Sequence, residues 1–234
     1  TVLYVQFTLT GHPRELEPGV LPPEEAVGQM RQLAAILGPE SVVWRFDPIV
    51  HTQHQGPEDT LARFRRFCTL LEGATQECVF SFMAPYRRQQ QAFSRLGLEY
   101  REPDVPMRLE LAHHMASIAA EHGITLAACC NPEVVGAGVQ QAQCVSADRL
   151  RALGAPIPQG YPHSPSRPGC GCARSVDIGA YDLCPTGCAY CYANRDARQA
   201  AANYARHDPR HQGLAEAYLA RATEDGLGAA SGPD

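Results

Sequence analysis

The first half of the chain alternates between short apolar runs and longer stretches with an apolar residue every three or four positions. Residues 3–10, LYVQFTLT, are dense in β-branched and aromatic side chains and predict a strand. Residues 22–37 open with two prolines, carry Glu24 and Glu25 in the first turn, and place Ala26, Met30, Leu33 and Leu37 on one face. That pattern predicts an amphipathic helix stopped by Gly38-Pro39. Residues 41–50, SVVWRFDPIV, read as the next strand. Residues 57–73 read as a helix burying Leu61, Phe64, Phe67, Cys68 and Leu71, and residues 77–83 as a strand. A helix over 104–123 follows, with Asp104 as its N-cap and Gly123 just past its end, and then a strand over 124–130.

Strands that recur with helices between them, and that are apolar almost throughout, are the mark of parallel strands buried on both faces. The expected fold is α/β, a partial (β/α) barrel of parallel strands over residues 1–130. A doubly wound open sheet is the alternative, weakened because no glycine-rich dinucleotide fingerprint follows any strand. The regularity fails over 131–174, a stretch rich in Gly, Pro, Gln and Ser, which reads as an irregular connector carrying Cys144, Cys170 and Cys172. Residues 175–194 read as a last strand, SVDIGAY, running into a cysteine loop, and 195–234 as a helical tail with a frayed end. The chain opens on a strand with no lead-in, so the reading expects N-terminal strands upstream of Thr1.

Composition narrows the function. Of 234 residues, 44 % are apolar and 19 % charged, as in ordinary globular domains. The net charge of −5 offers no general attraction to nucleic acid or to anionic lipid. The chain contains no lysine, which excludes a Schiff-base or P-loop lysine. No apolar run is long enough to span a bilayer. With no secretory-type opening, the expected location is the cytoplasm, where ten cysteines point to metal ligation rather than to disulfides.

Cys68 and Cys78 stand alone and read as small buried hydrophobes; the other eight crowd the second half. The tightest group is CPTGCAYCYAN over 184–194. Structural zinc sites use two separated CxxC pairs, and bacterial ferredoxins a CxxCxxC run; here the gaps are three residues and then two. Three thiolates on one short loop can hold three corners of a cubic [4Fe-4S] cluster and leave the fourth iron open. A structural zinc or a purely structural cluster is the plainer alternative. Cys170-Gly-Cys172, with Cys144 and either Cys129 or Cys130, forms a second candidate metal group for another [4Fe-4S] cluster or for zinc.

Cys184-x3-Cys188-x2-Cys191, with Tyr190 before the last cysteine, resembles the signature of the radical S-adenosylmethionine (SAM) superfamily. The resemblance implies that these three cysteines ligate the cluster and that Tyr190 lies near the adenine of SAM. It also implies that an electron, from a cellular donor such as ferredoxin or flavodoxin, splits SAM to methionine and a 5′-deoxyadenosyl radical. Two features depart from the superfamily: the motif follows the last strand rather than the first, and no Gly-Gly-Glu stretch is present. Both suit a permuted barrel, or one whose early strands lie upstream. The run from QFTLTGHPRELEPG to WRFDPIV, followed by CGCARSVDIGAYDLCPTGCAYCYAN, resembles the bacterial domain of unknown function 1848 family. Leu16-Glu17-Pro18, the helix after it and WRFDPIV are also similar to the spore photoproduct lyase-like branch of radical SAM proteins. The resemblance implies a machine and leaves the substrate unassigned.

In such barrels function collects at the C-terminal strand ends, here Thr8, Thr10, Arg45, Asp47, Ser81, Ser175 and Asp177. Arg45 and Asp47 lie two apart and share a side. As catalytic candidates they could fork a carboxylate of SAM or substrate; the alternative is a structural ion pair. Ser175 and Asp177 join Tyr190 as candidate cofactor neighbours, with a turn-stabilising Asp177 as the plainer reading. His51 and His54, in the loop after the Arg45 strand, are candidate ligands or acid/base groups, with solvated loop residues as the plainer reading, and the adjacent His113 and His114 cannot share a helix face. The expected function is radical chemistry with SAM on an unknown, small-molecule-type substrate. The alternative is a non-catalytic metal module, structural or electron-transferring. No basic stripe favours nucleic acid.

Overall fold

The apolar runs pair edge to edge as parallel strands. In a computed structural model, which describes residues 1–210, strands β1 (Val5–Thr8), β2 (Val42–Ile49), β3 (Glu77–Phe82), β4 (Thr125–Ala128) and β5 (Val139–Gln141) form one sheet in that spatial order. All neighbouring pairs are parallel and the sheet does not close, an α/β arrangement consistent with part of a (β/α) barrel. Parallel neighbours need a crossover. Helices α1 (Pro23–Leu37), α2 (Pro57–Leu71) and, after a shorter α3 (Arg87–Arg95), α4 (Val105–Glu121) provide three of them. Asp104 caps α4 as expected, its carboxylate accepting from the Met107 amide at 2.9 Å.

The described residues divide into two compact units: Thr1–His12 with Leu21–Ser175, and Pro13–Val20 with residues 176–210. The first holds the sheet. Its strands carry different chemistry on their two faces, because side chains alternate along a strand. Trp44, Phe46, Cys78, Phe80, Phe82, Leu126 and Ala128 point into the helix layer and pack on Met30, Phe64, Phe67, Leu71, Leu111 and Met115. Trp44 stacks on Phe64 with ring centroids 5.1 Å apart and donates its indole N–H to the Leu9 carbonyl at 2.8 Å. Each of these large side chains contributes about 1.5–3 kcal/mol by burial. The opposite face has a thin apolar lining of Val43, Val79, Ala127, Cys129 and Ala142, with Tyr4, Cys130 and Cys144 against it. Pro48 has no N–H to give the ladder, and the β2–β3 register shifts between Phe46 and Ile49.

Several elements differ from the sequence expectation, which placed nothing between residues 83 and 104 where α3 lies. The connector over 131–174 contains β5, whose three residues are too few to show a period, and the short helix α5 (Ala147–Ala152). Residues 175–181 form no strand: Val176 and Ile178, which gave the segment its strand-like look, are exposed. The tail is helical over α6 (Ala197–Ala205), capped by Asp196; its expected frayed end, 211–234, lies outside the described residues.

His51 also departs from expectation, for it is buried rather than solvated, whereas His54 is exposed. His12 is buried too. Its Nε2 donates to the Pro48 carbonyl at 2.9 Å and its Nδ1 accepts from the Gln55 amide at 3.3 Å, while Arg63 holds the Gln55 carbonyl oxygen at 3.0 Å. His51 donates to the Thr60 hydroxyl at 3.2 Å, and that hydroxyl donates to the Gly56 carbonyl. Burial first, and then the charge of Arg63, push both imidazoles down to about 4. In the unfolded chain they titrate near 6.5. Between these limits the unfolded chain binds protons that the folded one refuses, so stability is full above pH 6.5 and drains as pH falls toward 4. We expect a loss on the order of 1–3 kcal/mol per histidine across that window, read by denaturation at stepped pH; His12→Gln should flatten the slope.

Candidate functional site

The three-cysteine loop belongs to the second unit and is closed at its base by Asp182, which is 1 % exposed. The Asp182 amide donates to the Ala193 carbonyl at 2.9 Å. Its carboxylate accepts from the Arg195 Nε at 2.7 Å and from the Arg195 backbone amide. Its carbonyl accepts from Asn203 of α6 at 2.9 Å. Asp182 has a φ of +57°, a left-handed conformation that Asp tolerates better than most residues. Within the loop, Asn194 donates to the Cys184 carbonyl at 2.6 Å and the Cys191 amide to the Cys188 carbonyl at 3.1 Å. The segment is therefore a compact surface loop with its ends tied, a form that often carries function.

A second brace comes from Pro13–Val20. The Gly19 amide donates to the Thr186 carbonyl and the Ala189 amide to the Leu16 carbonyl, both at 2.9 Å. The Tyr190 hydroxyl donates to the buried carboxylate of Glu17. A β-carbon on Gly19 would stand 2.7 Å from the Thr186 carbonyl oxygen, so only glycine allows this approach. Thr186 places its hydroxyl 3.0 Å from the Cys184 sulfur and 3.5 Å from that of Cys188. All three loop cysteines are free; Cys184 is exposed and the other two half-buried. Burial pushes the Cys188 thiol up, with the Glu17 carboxylate adding to it, so a thiolate there calls for a compensating cation.

The first unit gathers Arg45, Asp47, Cys129, Cys130 and Cys144 on the thin face of the sheet. Arg45 donates to Asp47, to Gln6 at 2.8 Å and to the Cys144 sulfur at 2.8 Å; Asp47 also accepts from Ser81. The two side chains share a side, as their spacing implies, and grip protein partners there. The Cys129 sulfur lies 3.6 Å from that of Cys144 and 3.8 Å from that of Cys130. Arg167 donates to Cys130 at 2.9 Å, the Val145 amide reaches Cys172 at 3.4 Å, and Ser166 reaches Cys170 at 3.7 Å. Among the described residues, no three Cys, His, Asp or Glu side chains are gathered as the ligands of one metal ion are. Ser175 is exposed, and the exposed Asp177 closes its own turn by accepting from the Gly179 amide at 2.7 Å.

Sequence reasoning gave no role to Asp182, Glu17, Gly19, Thr186 or Arg167. Glu17, Gly19 and Arg167 act through partners far along the chain, so no local period or spacing reveals them; Glu17 and Tyr190 are 173 positions apart. Thr186 lies two residues from both Cys184 and Cys188 and was the one within local reach. The role of Asp182 is testable. Asp182→Ala removes a buried acceptor and should loosen the loop by on the order of 1–3 kcal/mol. The expected outcome is faster labelling of Cys184, Cys188 and Cys191 by a thiol reagent and quicker cleavage between 183 and 195, with the sheet unit unchanged by circular dichroism.

Comparison with known proteins adds two findings. A search of curated proteins finds no match. The family model described as "Domain of unknown function (DUF1848)" matches residues 1–193. That span covers the parallel strands, the brace at Pro13–Val20 and all ten cysteines, a content compatible with metal binding. The chain therefore belongs to the DUF1848 family.

Proposed function

We propose that the protein holds a [4Fe-4S] cluster on Cys184, Cys188 and Cys191 and uses SAM at the iron that the protein leaves free, for radical chemistry on an unassigned substrate. The observation that carries this reading is one braced loop with three free thiols on a three-then-two spacing. The donor set fits the group. Between 183 and 194 there is no carboxylate or imidazole to complete a zinc shell, and sulfur-only ligation suits iron–sulfur clusters. The corners of a cubic cluster stand further apart than the ligands of a single ion, in keeping with thiols that do not close on one point. When bound, the group supplies one-electron chemistry that opens the carbon–sulfur bond of SAM and makes a carbon radical available.

The chain's own residues would do the holding. Thr186 directs its hydroxyl at Cys184 and Cys188, and hydrogen bonds to ligand sulfurs are a recognised control on cluster potential. Glu17 fixes the hydroxyl end of Tyr190 and so the plane in which that ring can meet a flat base. Gly19 and Leu16 hold the loop backbone so that the three thiols are set before anything binds. The electron donor of this reading is a ferredoxin- or flavodoxin-type protein, and its setting is the cytoplasm. No helix among the described residues is long and apolar enough to cross a membrane.

The test is metal analysis of anaerobically purified protein, followed by low-temperature electron paramagnetic resonance of the reduced sample with and without SAM. We expect about four irons and four sulfides per chain, lost on Cys188→Ser, and a reduced-cluster signal that shifts when SAM is added. Zinc without iron, or a signal indifferent to SAM, would overturn the reading in favour of a structural or electron-transfer module.

A further inference from the structure

The cysteines of the sheet unit show a different geometry from those of the loop. Cys129 continues β4 and Cys144 follows β5; the two strands are paired in register at Ala128 and Gln141, and the Ala142 amide donates to the Ala128 carbonyl at 3.0 Å. The two cysteines therefore leave neighbouring strands in the same direction, on one face of the sheet. Their sulfurs are 3.6 Å apart, with no bond between them. A disulfide has its sulfurs at about 2.0 Å, so closure must bring them about 1.6 Å nearer. Each sulfur also has a guanidinium beside it: Arg45 donates to Cys144 at 2.8 Å, and Arg167 reaches Cys129 at 3.8 Å while donating to Cys130 at 2.9 Å. Close paired sulfurs with adjacent cations suit two-thiol chemistry.

We propose that Cys129 and Cys144 form a peroxide-sensitive dithiol that closes reversibly into a disulfide. Cys129, whose sulfur accepts from the Cys144 thiol and from Arg167, attacks one oxygen of hydrogen peroxide as a thiolate. A sulfur–oxygen bond forms, the oxygen–oxygen bond breaks, and hydroxide leaves. Cys144 then attacks the sulfenic sulfur, forming the sulfur–sulfur bond and expelling the second oxygen as hydroxide, and the two thiol protons convert both hydroxides to water. In balance, two thiols and one peroxide give one disulfide and two waters, with sulfur losing the two electrons that peroxide gains. A thiol reductant reverses the step by exchange. Closure ties the end of β4 to the chain leaving β5 and takes from Arg45 the sulfur it now grips. This chemistry does not depend on the loop that carries Cys184.

The test uses the full chain, reduced and desalted, with its metal content measured. It is treated with an equivalent of hydrogen peroxide, its remaining thiols are blocked, and it is digested without reductant by a protease that cuts after glutamate. Cleavage after Glu133 separates Cys129 and Cys130 from Cys144. The expected result is the loss of two free thiols and a cross-linked peptide pair across that cut, undone by dithiothreitol, kept in Cys130→Ser and absent in Cys129→Ser and Cys144→Ser. A link that moves to Cys130 or Cys172, no link at all, or zinc or iron in the reduced protein that is lost in Cys144→Ser would each overturn the proposal. A second cut after arginine, at Arg149 and Arg174, puts the loop thiols on a peptide apart from Cys144, so failure of the cluster reading would be seen separately.

Discussion

Strand β2 is hydrogen-bonded on both sides, and successive side chains along it must point opposite ways, so the direction of Trp44 decides the direction of Arg45. Trp44 is fixed three times over, by stacking on Phe64, by edge contacts with Phe46 and Phe67, and by its hydrogen bond to Leu9. That aromatic knot holds the helix layer against one face. It also forces Arg45 and Asp47 onto the other, where Gln6, Ser81 and Cys144 receive them. A slip of one residue would bury a guanidinium among phenyl rings and expose an indole, a cost far above the stability margin of a domain. The two-sided character of the sheet is thus a single choice made in β2 and passed to its neighbours through the register.

Much of this was legible in the sequence because it rests on local signals. Prolines at helix starts, acids in first turns, Asp104 as a cap and β-branched runs all announce elements whose bounds the structure shifts by only a residue or two. The open parallel sheet follows from the apolar strands and the helices between them. What was not legible has a common cause. β5 is three residues long and owes its place to pairing with β4, not to its own pattern. The segment over 175–181 has strand-like residues but no neighbour to pair with, and its apolar side chains stay in solvent. The burial of His51 depends on Thr60, which lies on the next helix.

The cysteine loop shows the same division. Its thiols and their spacing lie in eleven letters of sequence, yet the groups that shape it come from elsewhere: Glu17 and Gly19 from near the start of the chain, Arg195 and Asn203 from beyond the last cysteine. Spacing alone identifies what can be bound. The brace decides whether the thiols are held ready, because an ordered loop has already lost the conformational freedom that binding would otherwise have to remove.

The brace also sets an order of events during synthesis. Leu16, Glu17 and Gly19 leave the ribosome long before Thr186, Ala189 and Tyr190, the residues they hold, so the first half of the cradle waits without its counterpart while about 165 residues are added. Asp182 and Arg195 can join only after the last thiol has emerged. A nascent chain therefore shows three cysteines on an unshaped segment until Arg195 and Asn203 follow them out. Whatever delivers a metal group to these thiols meets its proper acceptor only then, and a chain that stalls before Arg195 presents the ligands without the scaffold that aims them.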